Sequence, residues 1–241
     1  MRHAMGPLPC ETRLGTVAAM GPRRNRVDPW GDLVATPERG LFTGNRGCLV
    51  DGSEQVVRHH QSSAWITCRL KFKDRRVPLA RPNAWTPIFF LDDAVALAAG
   101  HRPCGECRHA DHHAYQRAVS QGLGRPGPVL ARELDRRLAA ERLRSGRGLD
   151  RASDRQLWEA PADELPDGTV IIQEEVPQLL LGDRALTFSF AGWHRPHPRP
   201  PGSATVLTPP TSVLALASGF RAVLHPSALD QRGTSTGIEI R

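Results

Sequence analysis

Four cysteines in the first half of the chain have the types and spacing of metal ligands. Cys104 and Cys107 form a C-x-x-C within "ALAAGHRPCGECRHADHH" (residues 96–113), and Cys48 and Cys68 precede it. Zinc takes four thiolate or imidazole ligands in a tetrahedron, and two residues between cysteines let both sulfurs face one ion. The expected ligand set is therefore Cys48, Cys68, Cys104 and Cys107 around one Zn2+. Such a closed site is structural and would pin its flanking strands together. Histidines compete for the same role. His101, His109, His112 and His113 flank the C-x-x-C, and His59 and His60 lie between the earlier cysteines. Redox chemistry is the other use of a C-x-x-C, but there the pair opens a helix after a strand. Here it follows a helix stop. Cys10 lies in an irregular N-terminal stretch and is set aside. No catalytic residue is assigned.

Basic residues surround these cysteines. In "CRLKFKDRR" (68–76) Arg69, Lys71 and Lys73 alternate, so in a strand they share one face and Leu70 and Phe72 turn to the core. With Arg75, Arg76, Arg102 and Arg108 they make a surface suited to a phosphate backbone, and DNA is the expected partner. The chain's net charge of +7 and pI near 9.9 agree with an acidic partner. Against this, of 32 basic residues only Lys71 and Lys73 are lysines. That skew, with abundant Ala, Gly and Pro, matches a coding bias. No C2H2 spacing and no recognition helix is visible, so sequence-specific readout is not expected. Trp193, in the basic "WHRPHPRPP", is available for stacking on a base, although a plain surface loop is the simpler reading.

An α+β fold must position these groups. "GCLV", "WITCRLKF" and "TPIFFL" read as strands, with "DGSEQ" as a turn. Asp92 or Asp93 then caps a short helix, "AVALAA", that Gly100 ends. "ADHHAYQRAV" is helix-like. "QGLGRPGP" (121–128) breaks the chain before an amphipathic helix whose stripe is Leu130, Leu134, Leu138 and Leu143. "LPDGTVII" and "ATVLTPP" read as strands, "QLLLGDRALTFSF" as a hairpin, "HRPHPRPPGS" (194–203) as a loop, and "TSVLALASGF" as a helix with a glycine stop. "VALAAGHRP" (95–103) is echoed by "LALASGFRA" (214–222), a shared helix-stop grammar rather than a repeat.

The expected organisation is a disordered extension (1–22), a small zinc-stabilised α+β unit (23–120), a linker with the amphipathic helix (121–160), a β-rich unit (161–228) and a tail (229–241). Met20 is an alternative start. With no long apolar run and no secretory h-region, a cytoplasmic protein is expected. Five cysteines, an odd number, argue against a disulfide framework.

"FFLDDAVALAAGHRPCGECRH" resembles the second half of the zinc-binding N-terminal domain of the Ada methyl-repair family. The matching positions are Ala98, Ala99, Gly100, His101, Arg102, Pro103, Cys104, Cys107 and Arg108, over about twenty residues. The resemblance implies a zinc module and contact with DNA. In that family the other two ligands form a C-x-x-x-C, and one of its thiolates accepts a methyl group from a DNA phosphotriester. This chain has no C-x-x-x-C. The best-supported expectation is a zinc-binding, DNA-binding protein. The alternatives are a methyl acceptor acting through Cys48 or Cys68, an HNH-like nuclease using the "CGECRHADHH" region, and a protein-interaction module, so whether the protein is an enzyme stays open.

Overall fold

The computed structural model describes residues 21–73, 79 and 83–230. Among these, five α-helices and two six-stranded sheets make a mixed α+β fold, as the sequence predicts. The expected methionine start, Cys10, Arg75, Arg76 and the last eleven residues lie outside the described residues.

The first sheet has the order β2-β1-β5-β3-β4-β6. β1 (Arg24–Val27) and β2 (Leu33–Ala35) form a hairpin. Its turn is closed by the Asp32 amide donating to the Asp28 carboxylate at 2.9 Å. β3 (Phe42–Asn45) lies antiparallel to both β4 (Ile66–Arg69) and β5 (Ile88–Phe90). β6 (Arg102–Pro103) runs parallel to β4 at the sheet edge. Between β5 and β6 sits α1 (Asp93–Ala98), capped by Asp92, whose carboxylate accepts the Val95 amide at 3.0 Å. Every residue of α1 is buried, which explains its Ala/Val/Leu composition. α2 (His109–Gly122) and α3 (Ala131–Arg142) follow.

The second sheet has the order β11-β10-β9-β8-β12-β7, all antiparallel. Its strands are β7 (Trp158–Pro161), β8 (Val170–Gln173), β9 (Val176–Leu181), β10 (Arg184–Ser189), β11 (Gly192–Pro198) and β12 (Ser203–Val206). The expected hairpin is β9–β10, turning at Gly182-Asp183. α4 (Pro210–Ala217) packs on α2, where the Tyr115 and Ser212 hydroxyls lie 2.9 Å apart, and α5 (Pro226–Asp230) packs on β11.

The largest core draws on both sheets. Val27 and Phe90 of the first, with Val95 of α1, pack in one cluster with Leu179, Leu186 and Trp193 of the second. Two adjacent aspartates tie that core together. Asp92 also accepts Trp193 Nε1 at 2.6 Å and the His225 amide at 3.0 Å. Asp93 holds Arg108 and accepts the Val223 amide. Burial pushes the Asp92 carboxyl up to about 6.

Several local expectations change. "GCLV" is no strand, only a bridge from Val50 to Val56. Its amides are taken by side chains instead, Cys48 N by Gln61 and Leu49 N by Thr86. β11 runs into the stretch expected as a loop; it is an edge strand, where prolines cost no ladder bond. Trp193 is fully buried and offers no face to a base. In α3 the buried stripe is Leu134, Leu138 and Arg142, while Leu130 precedes the helix and is 69% exposed. Among the described residues, no helix is long and apolar enough to cross a membrane.

Candidate metal centre

The register of β4 and β6 decides which cysteines meet. Ile66 pairs with Arg102 and Thr67 with Pro103, and the Cys104 amide extends the ladder by donating to Thr67 O at 2.9 Å. That places Cys104 beside Cys68. The chain then turns, with the Arg108 amide donating to Cys104 O at 3.2 Å, and the turn returns Cys107 to the same point. The sulfurs of Cys68, Cys104 and Cys107 all lie within 4.8 Å of one another. A tetrahedral zinc with Zn–S near 2.3 Å holds its sulfurs about 3.8 Å apart, so little movement is needed to close on an ion.

Backbone amides already address two of these sulfurs. Glu106 N donates to Cys104 Sγ and Arg69 N to Cys107 Sγ, each at 3.4 Å. N–H groups aimed at sulfur stabilise a thiolate, as ligation requires. The three thiols also perturb one another. A hydrogen bond from the Cys68 thiol holds Cys104 down to about 5, against the opposing effect of burial. The same bond, with burial, pushes Cys68 far up, and burial raises Cys107. A cation at the shared point would replace these protons. The cluster can therefore hold a metal ion.

Cys48 does not join them. Its thiol points to Val50 O at 3.5 Å, and it lines a separate recess with Asp51 and Arg58. Among the described residues, no histidine completes the group. His101 is buried and accepts from Arg46 Nε at 3.1 Å; His112 bonds Pro103 O; His109 and His113 face each other at 3.0 Å on the outside of α2.

The basic residues divide sharply. Arg102 is buried in a two-pronged pair with Asp135 at 2.8 and 2.9 Å. Arg108 is buried against Phe42, pairing both prongs with Asp93 at 2.6 and 2.9 Å and its Nε with Asp111. Neither can reach a phosphate, because each neutralises a carboxylate that positions a helix. Arg46 is likewise fully buried, stacked 4.0 Å from the centre of the Trp65 ring. Arg69, Lys71 and Lys73 are exposed. The alternation expected there fails after Arg69, where β4 ends with its pairing to Phe42. Leu70 is 52% exposed instead of buried, and Lys73 takes a left-handed φ of 49°.

What sequence reasoning missed is the cleft beside the cysteines. Cys68, Cys104 and Cys107 form one wall of a cavity of about 240 Å³, and Leu70, Phe72, Leu79, Trp85 and Phe89 form much of the rest. The signal was present in "RPNAWTP": a tryptophan between prolines, outside any periodic run, is poorly placed for a core. Comparison with family models, with curated proteins and with solved structures finds no match to this chain.

Proposed function

We propose that the protein binds zinc through Cys68, Cys104 and Cys107 and uses the surface beside that centre to bind nucleic acid. The observation that carries the reading is the convergence of three thiols from β4 and the C-x-x-C turn on one point at the wall of an open cleft. Thiolate donors favour zinc among the abundant divalent ions. The resemblance of residues 89–109 to the Ada zinc module supports the same ion. Three thiolates leave the fourth tetrahedral position to a ligand from the cleft side. The ion would lock β6 and the turn onto β4, two strands that share only a short ladder. Support for nucleic acid comes from the sequence "RLKFKDRRVPLARP" (69–82), of which Arg69, Leu70, Phe72 and Leu79 line the cleft. It carries Arg69, Lys71, Lys73, Arg75, Arg76 and Arg81 against the single acid Asp74.

Metal analysis of protein purified without added metal tests the centre. About one zinc per chain is expected in the wild type and in Cys48→Ser, with most of it lost in Cys68→Ser, Cys104→Ser and Cys107→Ser. Zinc retained in those three variants, or lost in Cys48→Ser alone, sinks the assignment. Salt-dependent DNA binding by the zinc-loaded protein tests the partner, and its absence at low salt removes it.

A further inference from the structure

We infer that the cleft beside the thiols seats an unstacked base of a single-stranded nucleic acid, with the strand's phosphates against Arg69, Lys71 and Lys73. The inference rests on the nucleic-acid reading and narrows it to a substrate class. Three observations converge on the cleft.

The first is its walls. Trp85 is 36% exposed and Leu70 52% exposed, and Phe72 and Phe89 line the same space. Large apolar side chains left in contact with water around a concavity mark a binding surface. Asn45 and Glu106 add polar groups to its lining, so a flat ligand with polar edges suits it. The second is its size. About 240 Å³ is below the usual span of sites for whole cofactors and fits a single heteroaromatic ring system. The third is charge. The arginines next to the C-x-x-C are consumed internally, Arg102 by Asp135 and Arg108 by Asp93 and Asp111. The exposed Arg69 lines the cleft, and the exposed Lys71 and Lys73, the chain's only two lysines, flank the lining residue Phe72. An apolar, aromatic recess bordered by cations matches a base joined to phosphates, the combination by which single strands are held. A base inside a duplex is stacked and paired and cannot enter such a recess without being extruded.

The test uses full-length, zinc-loaded protein and fluorescence anisotropy. The probes are a labelled oligothymidylate, its duplex with oligoadenylate, and the same single strand carrying abasic sites. The single strand should bind at least about tenfold more tightly than the duplex. Abasic sites should weaken binding about tenfold, as should Trp85→Ala, with the salt dependence unchanged. The double variant Lys71→Ala/Lys73→Ala should instead flatten the salt dependence. The abasic strand probes the recess without altering the protein, so the result stands even if Trp85→Ala folds poorly. Equal affinity for duplex and single strand, or indifference to both the abasic sites and Trp85→Ala, overturns the base site while leaving nucleic-acid binding intact. Binding of none of the probes overturns both.

Discussion

Two segments of the chain share a helix-stop pattern, and only one of them builds a site. "VALAAGHRP" ends α1 and "LALASGFRA" ends α4. Both stops use the same bonds. His101 N reaches back to Ala96 O and Phe220 N to Ala215 O, each at 2.9 Å, around a glycine with φ of 83° at Gly100 and 98° at Gly219. The next residues then diverge. Arg102 enters β6 in register with β4 and delivers Cys104 to Cys68, whereas Arg221 is exposed and the described residues past it form no strand. A helix stop aims the chain; the strand register that follows decides whether chemistry results.

The sharpest way to break the comparison is at the matched arginines. Arg102→Ala leaves Asp135 without its buried partner and should cost about 3–5 kcal/mol. Arg221→Ala, at an exposed position, should stay within about 0.5 kcal/mol. Denaturant unfolding of both variants measures the contrast. Equal costs would mean that the buried pair on α3 does not hold the C-x-x-C turn in place.

The matched glycines give a smaller but more informative difference. Both residues have a left-handed backbone, so alanine costs about 1–2 kcal/mol at either place. At Gly219 an added Cβ meets nothing within 4 Å. At Gly100 it would lie 2.8 Å from Arg142 Cδ and 3.0 Å from its Cβ. Arg142 is held by Gly100 O and Ser63 O and stacks 3.8 Å from the centre of the Trp65 ring, so it has little room to retreat. Gly100→Ala should therefore cost about 1–3 kcal/mol more than Gly219→Ala. It should also lower metal retention by the three-cysteine cluster, which Gly219→Ala should leave unchanged. Thermal unfolding and metal content read both effects together.

These contrasts show what was legible in the sequence. Local grammar was: the Asp92 cap, both glycine stops, the β9–β10 hairpin and the C-x-x-C turn follow from residues that act on near neighbours. Partners chosen across the fold were not. Spacing offered both Cys48 and Cys68, but β3 and β4 bring only Cys68 to the turn, since Cys68 pairs with Thr43 while Cys48 lies beyond the end of β3. Arg102 and Arg108 look like phosphate ligands in a basic chain. Their carboxylates, Asp135 and Asp93, stand 33 and 15 residues away, and only the packing of α3 and α1 reveals them. Trp193 looked free to stack because its partner, Asp92, is 101 residues distant. The cleft escaped notice because Leu70 and Phe72 fit a strand alternation that ends at Arg69.

The smallest expected effect concerns acid, and it too separates the two segments. Around the first stop the chain has gathered histidines against arginines; at the second the matching residue is Phe220, which cannot titrate. His60 is pulled down to about 4, first by burial and then by the charges of His59, Arg142, Arg46 and Arg151. The folded-state value lies below the unfolded one, near 6.5. The unfolded chain therefore takes up the proton first, and stability present above about pH 6.5 is lost as the pH falls towards 4. His60 is only half-buried, so solvent screening reduces the linkage to about 1 kcal/mol, or about 2–4 °C in Tm. Acid also strips a thiolate-bound metal, so the comparison to make is wild type against His60→Gln across pH 7 to 4.5. Metal loss is common to both proteins and cancels in the difference. His60→Gln should lose less stability on acidification than the wild type, narrowing or reversing any gap seen at pH 7. A difference that does not change with pH would mean that His60 gains its proton as readily in the folded protein as in the unfolded chain, and that the arginines gathered around Trp65 do not oppose it.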